Sequence, residues 1–275
     1  MTLTKLNEIC KDIRCDIMTC IGNLGVGHIG GCLSIVEVLA ALYFQEMNID
    51  PSNPKMEGRD RLVCSKGHAG PAVYATLANR GYFDKKELLT LNQGGTHLPS
   101  HCDMNLTTGI DMTTGSLGQG FSCAVGVALG SKVEKDGATI YSIIGDGESQ
   151  EGQIWEAAMF AAAKKLDNLV GITDFNKLQI DGPVAEVVDI APLADKWKAF
   201  GWNVVDVVDG NDMEQVVAAL QQAKANRGTG KPTMVILNTV KGCGVSFIES
   251  VGAGNHNMNI SMADAQRAIA EIRGE

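Results

Sequence analysis

The stretch that most constrains this chain runs from Ala138 to Gly182, ATIYSIIGDGESQEGQIWEAAMFAAAKKLDNLVGITDFNKLQIDG. The apolar, β-branched run Thr139 to Ile144 predicts a buried parallel strand, and Gly145-Asp146-Gly147 ends it sharply. Ile154, Trp155, Ala158, Ala161 and Ala162 then recur at helical spacing, and Leu169 to Phe175 predicts a second buried strand that stops at Asn176-Lys177-Leu178. Ligands of an open parallel sheet sit beyond the carboxyl ends of its strands, so Asp146 and Asn176 are expected at one crevice. A carboxylate and an amide oxygen, with a backbone carbonyl, suit Mg²⁺ better than Zn²⁺, because Mg²⁺ prefers oxygen and shares its octahedron with phosphates and water. Gly145 and Gly147 leave room for backbone N–H groups to approach a diphosphate. Taken alone, Gly-Asp-Gly reads as a tight turn, and the downstream strand with its Asn is what raises it to a candidate site.

The same alternation continues on both sides of this unit. A helix is expected over Thr2 to Leu24, then a Gly27-to-Gly31 turn, and Ser34 with Glu37 reads as a capping box for the next helix. Asp50 to Asp60 reads as a loop, Arg61 to Cys64 as a short strand, and Pro71 to Arg80 and Asp84 to Leu91 as helices. Asn92 to Gly120, rich in Gly, Thr and His, is too long to be an idle connection; a close-packed helix follows from Phe121 to Lys135. Farther on, Ile190 to Phe200 reads as helix and Trp202 to Val208 as strand; Asn211 to Ala225 reads as a helix capped by Asn211 and Glu214. Pro232 to Val240 reads as a buried strand, Lys241 to Asn259 as a loop and Ser261 to Ile272 as a final helix. The pattern predicts an α/β fold in one domain over residues 1–275, with a central, mainly parallel sheet and helices on both faces.

A formal net charge of -9 argues against nucleic acid or an acidic membrane as the main partner. It also means that a bound diphosphate needs a divalent cation to offset repulsion. None of the eight cysteines forms a C-x-x-C pair or zinc-finger spacing, so all are expected to be reduced core residues. No signal peptide or uninterrupted apolar span appears, which makes a cytoplasmic protein the default expectation.

Four of the five histidines, His28, His68, His101 and His256, fall in glycine-containing or polar loops after expected elements. One imidazole in a turn is ordinary; four point to a pocket that moves protons between hydroxyls and binds phosphate.

G-D-G followed by an alanine-rich helix, a strand and an Asn resembles the thiamine-diphosphate motif, and the full wording resembles transketolase. The resemblance implies a thiamine-diphosphate-binding fold in which Asp146, Asn176 and the Leu178 carbonyl hold Mg²⁺, or Ca²⁺ or Mn²⁺ in its place, while Gly147 contacts the diphosphate. Lys177 stands where a second Asn or Asp is commoner. GHIGG resembles the family's G-H-P-G with Ile29 for Pro, making His28 a substrate-side catalytic residue. SKGH implies that His68 lies by the diphosphate and substrate. LPSHCDMNLTTGIDMTTGSLGQG implies a substrate role for His101, with Gly115, Ser116 and Leu117 against the cofactor, although Ser100 and Cys102 replace the usual Gly and Pro. His256 resembles a late histidine near the diphosphate and donor hydroxyl, Glu151 an interface glutamate beside the partner's activating acid, and His97 has no counterpart.

The resemblance spans nearly the whole chain but only the first part of a transketolase. It therefore implies the N-terminal subunit of a split enzyme, with the pyrimidine and C-terminal domains on a separate C-terminal subunit, assembled as a two-plus-two heterotetramer. The implied reaction attacks a ketose phosphate at its carbonyl, breaks the bond between C2 and C3, and passes a two-carbon ketol unit to an aldose phosphate. The ordinary pentose phosphate type (EC 2.2.1.1-like) is one reading. A two-subunit relative using another donor, such as a deoxy, sulfonated or branched sugar, is a second; a non-catalytic binding protein of the same fold is a third.

Overall fold

The computed structural model describes residues 1–275. Five strands form the central sheet: β1 (Arg61–Cys64), β2 (Ile140–Gly145), β3 (Leu169–Phe175), β4 (Asn203–Val207) and β5 (Thr233–Asn238). Their order is β1-β2-β3-β5-β4, and every pairing is parallel. Side chains alternate across the strands, so Tyr141, Ile143, Val170 and Ile172 face one core while Ile140, Ile144 and Leu169 face another. The larger core takes the helices Leu3–Leu24, Gly70–Arg80, Met213–Ala225 and Met262–Arg273; the smaller takes Gln119–Glu134, Gly152–Ala163 and Leu193–Ala199. Both faces of the sheet are covered, as a parallel sheet with apolar residues on both sides requires.

Two expected helix caps are diverted by tertiary contacts. Ser34 does not cap; its hydroxyl donates to Asp174 Oδ2 at 2.7 Å, and the following helix, Val36–Ala41, starts without a side-chain cap. Glu37 instead pairs with the buried Arg14 guanidinium through two oxygens, at 2.7 and 2.9 Å. Asn211 is likewise displaced by one position: Asp212 caps the helix by accepting from Gln215 N, while Asn211 donates to Glu37 and accepts from Val240 N. A capping bond is worth about 1 kcal/mol, less than leaving a buried charge or amide without partners costs. The expected helix from Asp84 to Leu91 is a shorter 3₁₀ turn, Lys85–Thr90. All eight cysteines are free, but Cys123 is exposed and Cys243 only half-buried, so they are not all core residues.

Candidate active site

A cavity of about 340 Å³ opens beyond the carboxyl ends of β2, β3 and β5. Asp146 follows β2 and Asn176 follows β3, and both side chains are buried in its wall. Asp146 accepts from Gly147 N at 2.7 Å through one oxygen and from Lys177 N through the other. Asn176 donates its amide to Asp174 Oδ2 at 2.9 Å, which fixes its carbonyl on the opposite side, where it accepts from Leu178 N at 3.1 Å. Leu178 presents its own carbonyl to the Lys241 ammonium at 3.0 Å, so a cation already engages that oxygen. Burial, reinforced by the nearby Asp174 charge, pushes the Asp146 carboxyl up to about 7. A hard divalent cation would relieve that repulsion. Asp146, Asn176 and Leu178 all line the cavity, and their carboxylate, amide and carbonyl oxygens are a donor set that would suit a magnesium ion sharing its shell with phosphate and water. Gly31, Gly115 and Gly147 leave space where a side chain would collide: an added Cβ would lie 3.3 Å from Lys66 Nζ, 3.2 Å from His101 Cδ2 and 3.1 Å from Gln179 Cβ, respectively. The cradle fits a diphosphate cofactor on the same grounds.

The four loop histidines converge on this cavity. The His28 ring lies 5.4 Å from His68, 5.7 Å from His101 and 5.4 Å from His256, and His68 lies 5.1 Å from His256. Burial and then the Lys66 charge lower His68 to about 2, while burial and then Lys241 lower His256 to about 4. His28 is lowered by burial with His101 and Lys241, and His101 by burial alone. All four are therefore neutral at pH 7, each with one donor and one acceptor nitrogen. His256 Nδ1 accepts from Lys241 Nζ at 3.2 Å, which leaves its proton on Nε2. Neutral rings suit the exchange of protons with sugar hydroxyls.

Of the remaining candidates, Gly115, Leu117, Gly147 and Glu151 line the cavity, Glu151 as an exposed carboxylate at the rim. Ser116 is exposed outside the lining, and His97 is exposed away from it, its carbonyl bound by the Thr107 hydroxyl. The sequence reading missed the charges beneath the site. Lys66 and Asp174 form a fully buried pair at 2.6 Å. Lys66 also donates to Gly31 O at 2.9 Å, and Asp174 also accepts from Ser34, Asn176 and Thr239. Burial works against the Lys66 ammonium, but the Asp174 charge carries it above its ordinary value. Glu148, also buried, accepts from Gly118 N at 2.8 Å, Gly145 N at 3.0 Å and the Ser65 hydroxyl, tying β1 and β2 to the loop before Gln119. Lys241 follows β5 as Asn176 follows β3; its place past a parallel strand was the available signal. Burial and the neighbouring Lys66 lower Lys241 to about 8.

Residues 6–269 match the sequence profile of the transketolase thiamine diphosphate binding domain. The chain belongs to the transketolase family. It is 59% identical to the 6-deoxy-6-sulfo-D-fructose transketolase subunit SqwG of Clostridium sp. (strain MSTE9), over 93% of this chain and 91% of that one. It is 41% identical to an apulose-4-phosphate transketolase subunit of Phocaeicola vulgatus, over 90% of this chain and 86% of that one. A solved Pichia stipitis transketolase superposes with a TM-score of 0.90 at 29% identity, covering 98% of this chain and 40% of that longer one. The transketolase fold thus accounts for the order of strands and for the pocket at their carboxyl ends. No helix is long and apolar enough to cross a membrane.

Proposed function

We propose that this chain is the N-terminal, thiamine-diphosphate- and Mg²⁺-dependent subunit of a two-subunit ketol transferase. Residues 1–275 form its single diphosphate-binding domain, and a separate C-terminal subunit brings the pyrimidine domain, joined in a two-plus-two heterotetramer in the cytoplasm. The observation that carries this reading is the meeting of Asp146, Asn176, the Leu178 carbonyl and four neutral imidazoles in one cavity. When bound, thiamine diphosphate supplies a carbon nucleophile and an electron sink. The chain's residues bind and orient around it. Asp146, Asn176 and Leu178 would hold the metal; Gly147, Lys66, Lys241 and His68 would face the diphosphate; Gly115 and Leu117, with Ser116 between them outside the lining, would border the cofactor. His28, His101 and His256 hold and exchange protons with the hydroxyls of the ketose and of the accepting aldose phosphate. Glu151, at the rim, meets the partner subunit's acid.

The 59% identity to a subunit named for 6-deoxy-6-sulfo-D-fructose favours a sulfonated ketose as donor. A ketose phosphate of the pentose phosphate type is the second reading, favoured by the family's fold. The test measures two-carbon transfer from each donor by the chain combined with its C-terminal subunit, with and without thiamine diphosphate and Mg²⁺. Turnover that needs every component, and Mg²⁺-dependent cofactor binding abolished by Asp146→Ala, are the expected results. Robust turnover by the isolated chain, or cofactor binding indifferent to Asp146, would overturn the reading.

A further inference from the structure

Three of the residues that line the cavity, His28, Lys241 and His256, stand on two loops that meet at one buried amide. Asn255 is 0% exposed and closes the 3₁₀ turn Gly252–Asn255, directly before His256. Its Nδ2 donates to Lys241 O at 3.1 Å and to Ile248 O at 2.9 Å, so it ties the start and the middle of the loop to its end. Both amide hydrogens are used in this way, whereas Oδ1 has no hydrogen-bond partner. That oxygen is turned against Gly30, where an added Cβ would lie 2.1 Å from it. Gly30, two positions after His28, accepts from Gly242 N at 3.0 Å through its carbonyl. A Cβ on Gly242 would lie 3.0 Å from Asn255 Nδ2, so the amide is wedged between two glycines, one on each loop.

We infer that Asn255 is a positioning residue: its amide locks the loop from Lys241 to His256 onto the turn that carries His28, and so sets both side chains where cofactor and sugar are bound. The inference rests on the ketol-transferase reading above. Lys241 and His256 are 15 positions apart, yet Nζ and Nδ1 lie 3.2 Å from each other. Two side chains at the ends of a loop stay in contact only where those ends are fixed, because closing a flexible loop costs entropy. Asn255 fixes them by bonding the main chain of one and preceding the other. An unpartnered buried oxygen is itself unfavourable, so what the side chain contributes lies in its two donations. A shift of about 1 Å at a reacting group is enough to cost about a hundredfold in rate.

The test uses the assembled two-subunit enzyme as wild type, Asn255→Ala, Asn255→Ser and Asn168→Ala. Asn168 is the control. It is 5% exposed, its amide donates to Ala128 O at 2.9 Å and its Oδ1 is also unpartnered, but it precedes Leu169, at the opposite end of β3 from Asn176. Three quantities are measured: the melting temperature, the dissociation constant for thiamine diphosphate at saturating Mg²⁺, and kcat/KM at saturating cofactor for the better of the two donors above. All three variants should melt earlier than the wild type. Asn255→Ala should also weaken cofactor binding and lower kcat/KM, each by at least about tenfold, because Lys241 and His256 lose their common anchor. Asn255→Ser keeps one O–H donor and should fall between alanine and the wild type, while Asn168→Ala should leave both quantities within about twofold. Cofactor binding and kcat/KM within about twofold of wild type in Asn255→Ala, or reduced as far in Asn168→Ala, would overturn the inference and leave the ketol-transferase reading intact. Failure of both Asn255 variants to assemble would overturn it too, since the amide would then hold the fold rather than the site. A wild type that does not bind the cofactor would overturn the ketol-transferase reading, and the inference with it.

Discussion

Lys66→Met removes the cation from the buried pair under the site and tests whether that pair holds the floor in place. Asp174 is 0% exposed and Lys66 2%, so water cannot take over the lost contact. Breaking a buried pair from one side costs about 3–5 kcal/mol, because the remaining charge is left without compensation. Ser34, Asn176 and Thr239 still donate to Asp174, which places the expected loss near the lower end, about 3 kcal/mol. For a domain of this size that lowers the melting temperature by roughly 6–12 °C. The assay is urea and thermal unfolding of the wild type, Lys66→Met, Asp174→Asn and the double variant. A neutral pair buries no stranded charge, so the double variant should be more stable than the two single losses added, with a coupling of about 2 kcal/mol. Because Asp174 orients the Asn176 amide, Lys66→Met should also weaken Mg²⁺-dependent cofactor binding. A loss below about 1 kcal/mol with no coupling would refute the argument, showing that the three neutral donors alone satisfy Asp174.

Two further outcomes are expected. Gly67→Ala would place a Cβ 2.6 Å from the Thr114 main chain, which cannot swing aside, so cofactor affinity and melting temperature should both fall. Gly126, mid-helix with nothing within 4 Å of an added Cβ, serves as the contrast: Gly126→Ala should stabilise by about 0.5–1 kcal/mol, and equal effects at the two positions in thermal melts would contradict the packing described. His68 and His256 have folded values of about 2 and about 4, both below the ordinary histidine value of 6.5. Depressed values mean that the unfolded chain binds protons first, so stability is intact above pH 6.5 and is lost as pH falls from there, through about 4 for His256 and on to about 2 for His68. Histidine NMR titrations and melting curves across that window check it; rings titrating near 6.5 would contradict the burial described.

Much of the site was legible because its groups lie where regular patterns stop. Asp146 and Asn176 end apolar runs, and His68 ends the short run Arg61 to Cys64, so strand periodicity and glycine punctuation placed them at one edge of a parallel sheet. The capping signals at Ser34 and Asn211 were equally clear and misled, since both side chains serve a buried network joining Arg14, Glu37 and Asp174. Local patterns report what a segment prefers in isolation, and a buried charge outweighs a cap.

By itself the sequence determined the alternation of strands and helices and the coverage of both sheet faces, because these depend on period, side-chain type and short spacing, and it offered Asp146 and Asn176 as candidate metal ligands at the ends of two strands. Only the tertiary structure decided that Lys66 meets Asp174 across 108 positions and that Lys241 joins Leu178 and His256. It also decided that the four imidazoles are neutral, since their charge is set by lost solvent and neighbouring cations, neither of which is written in any one segment.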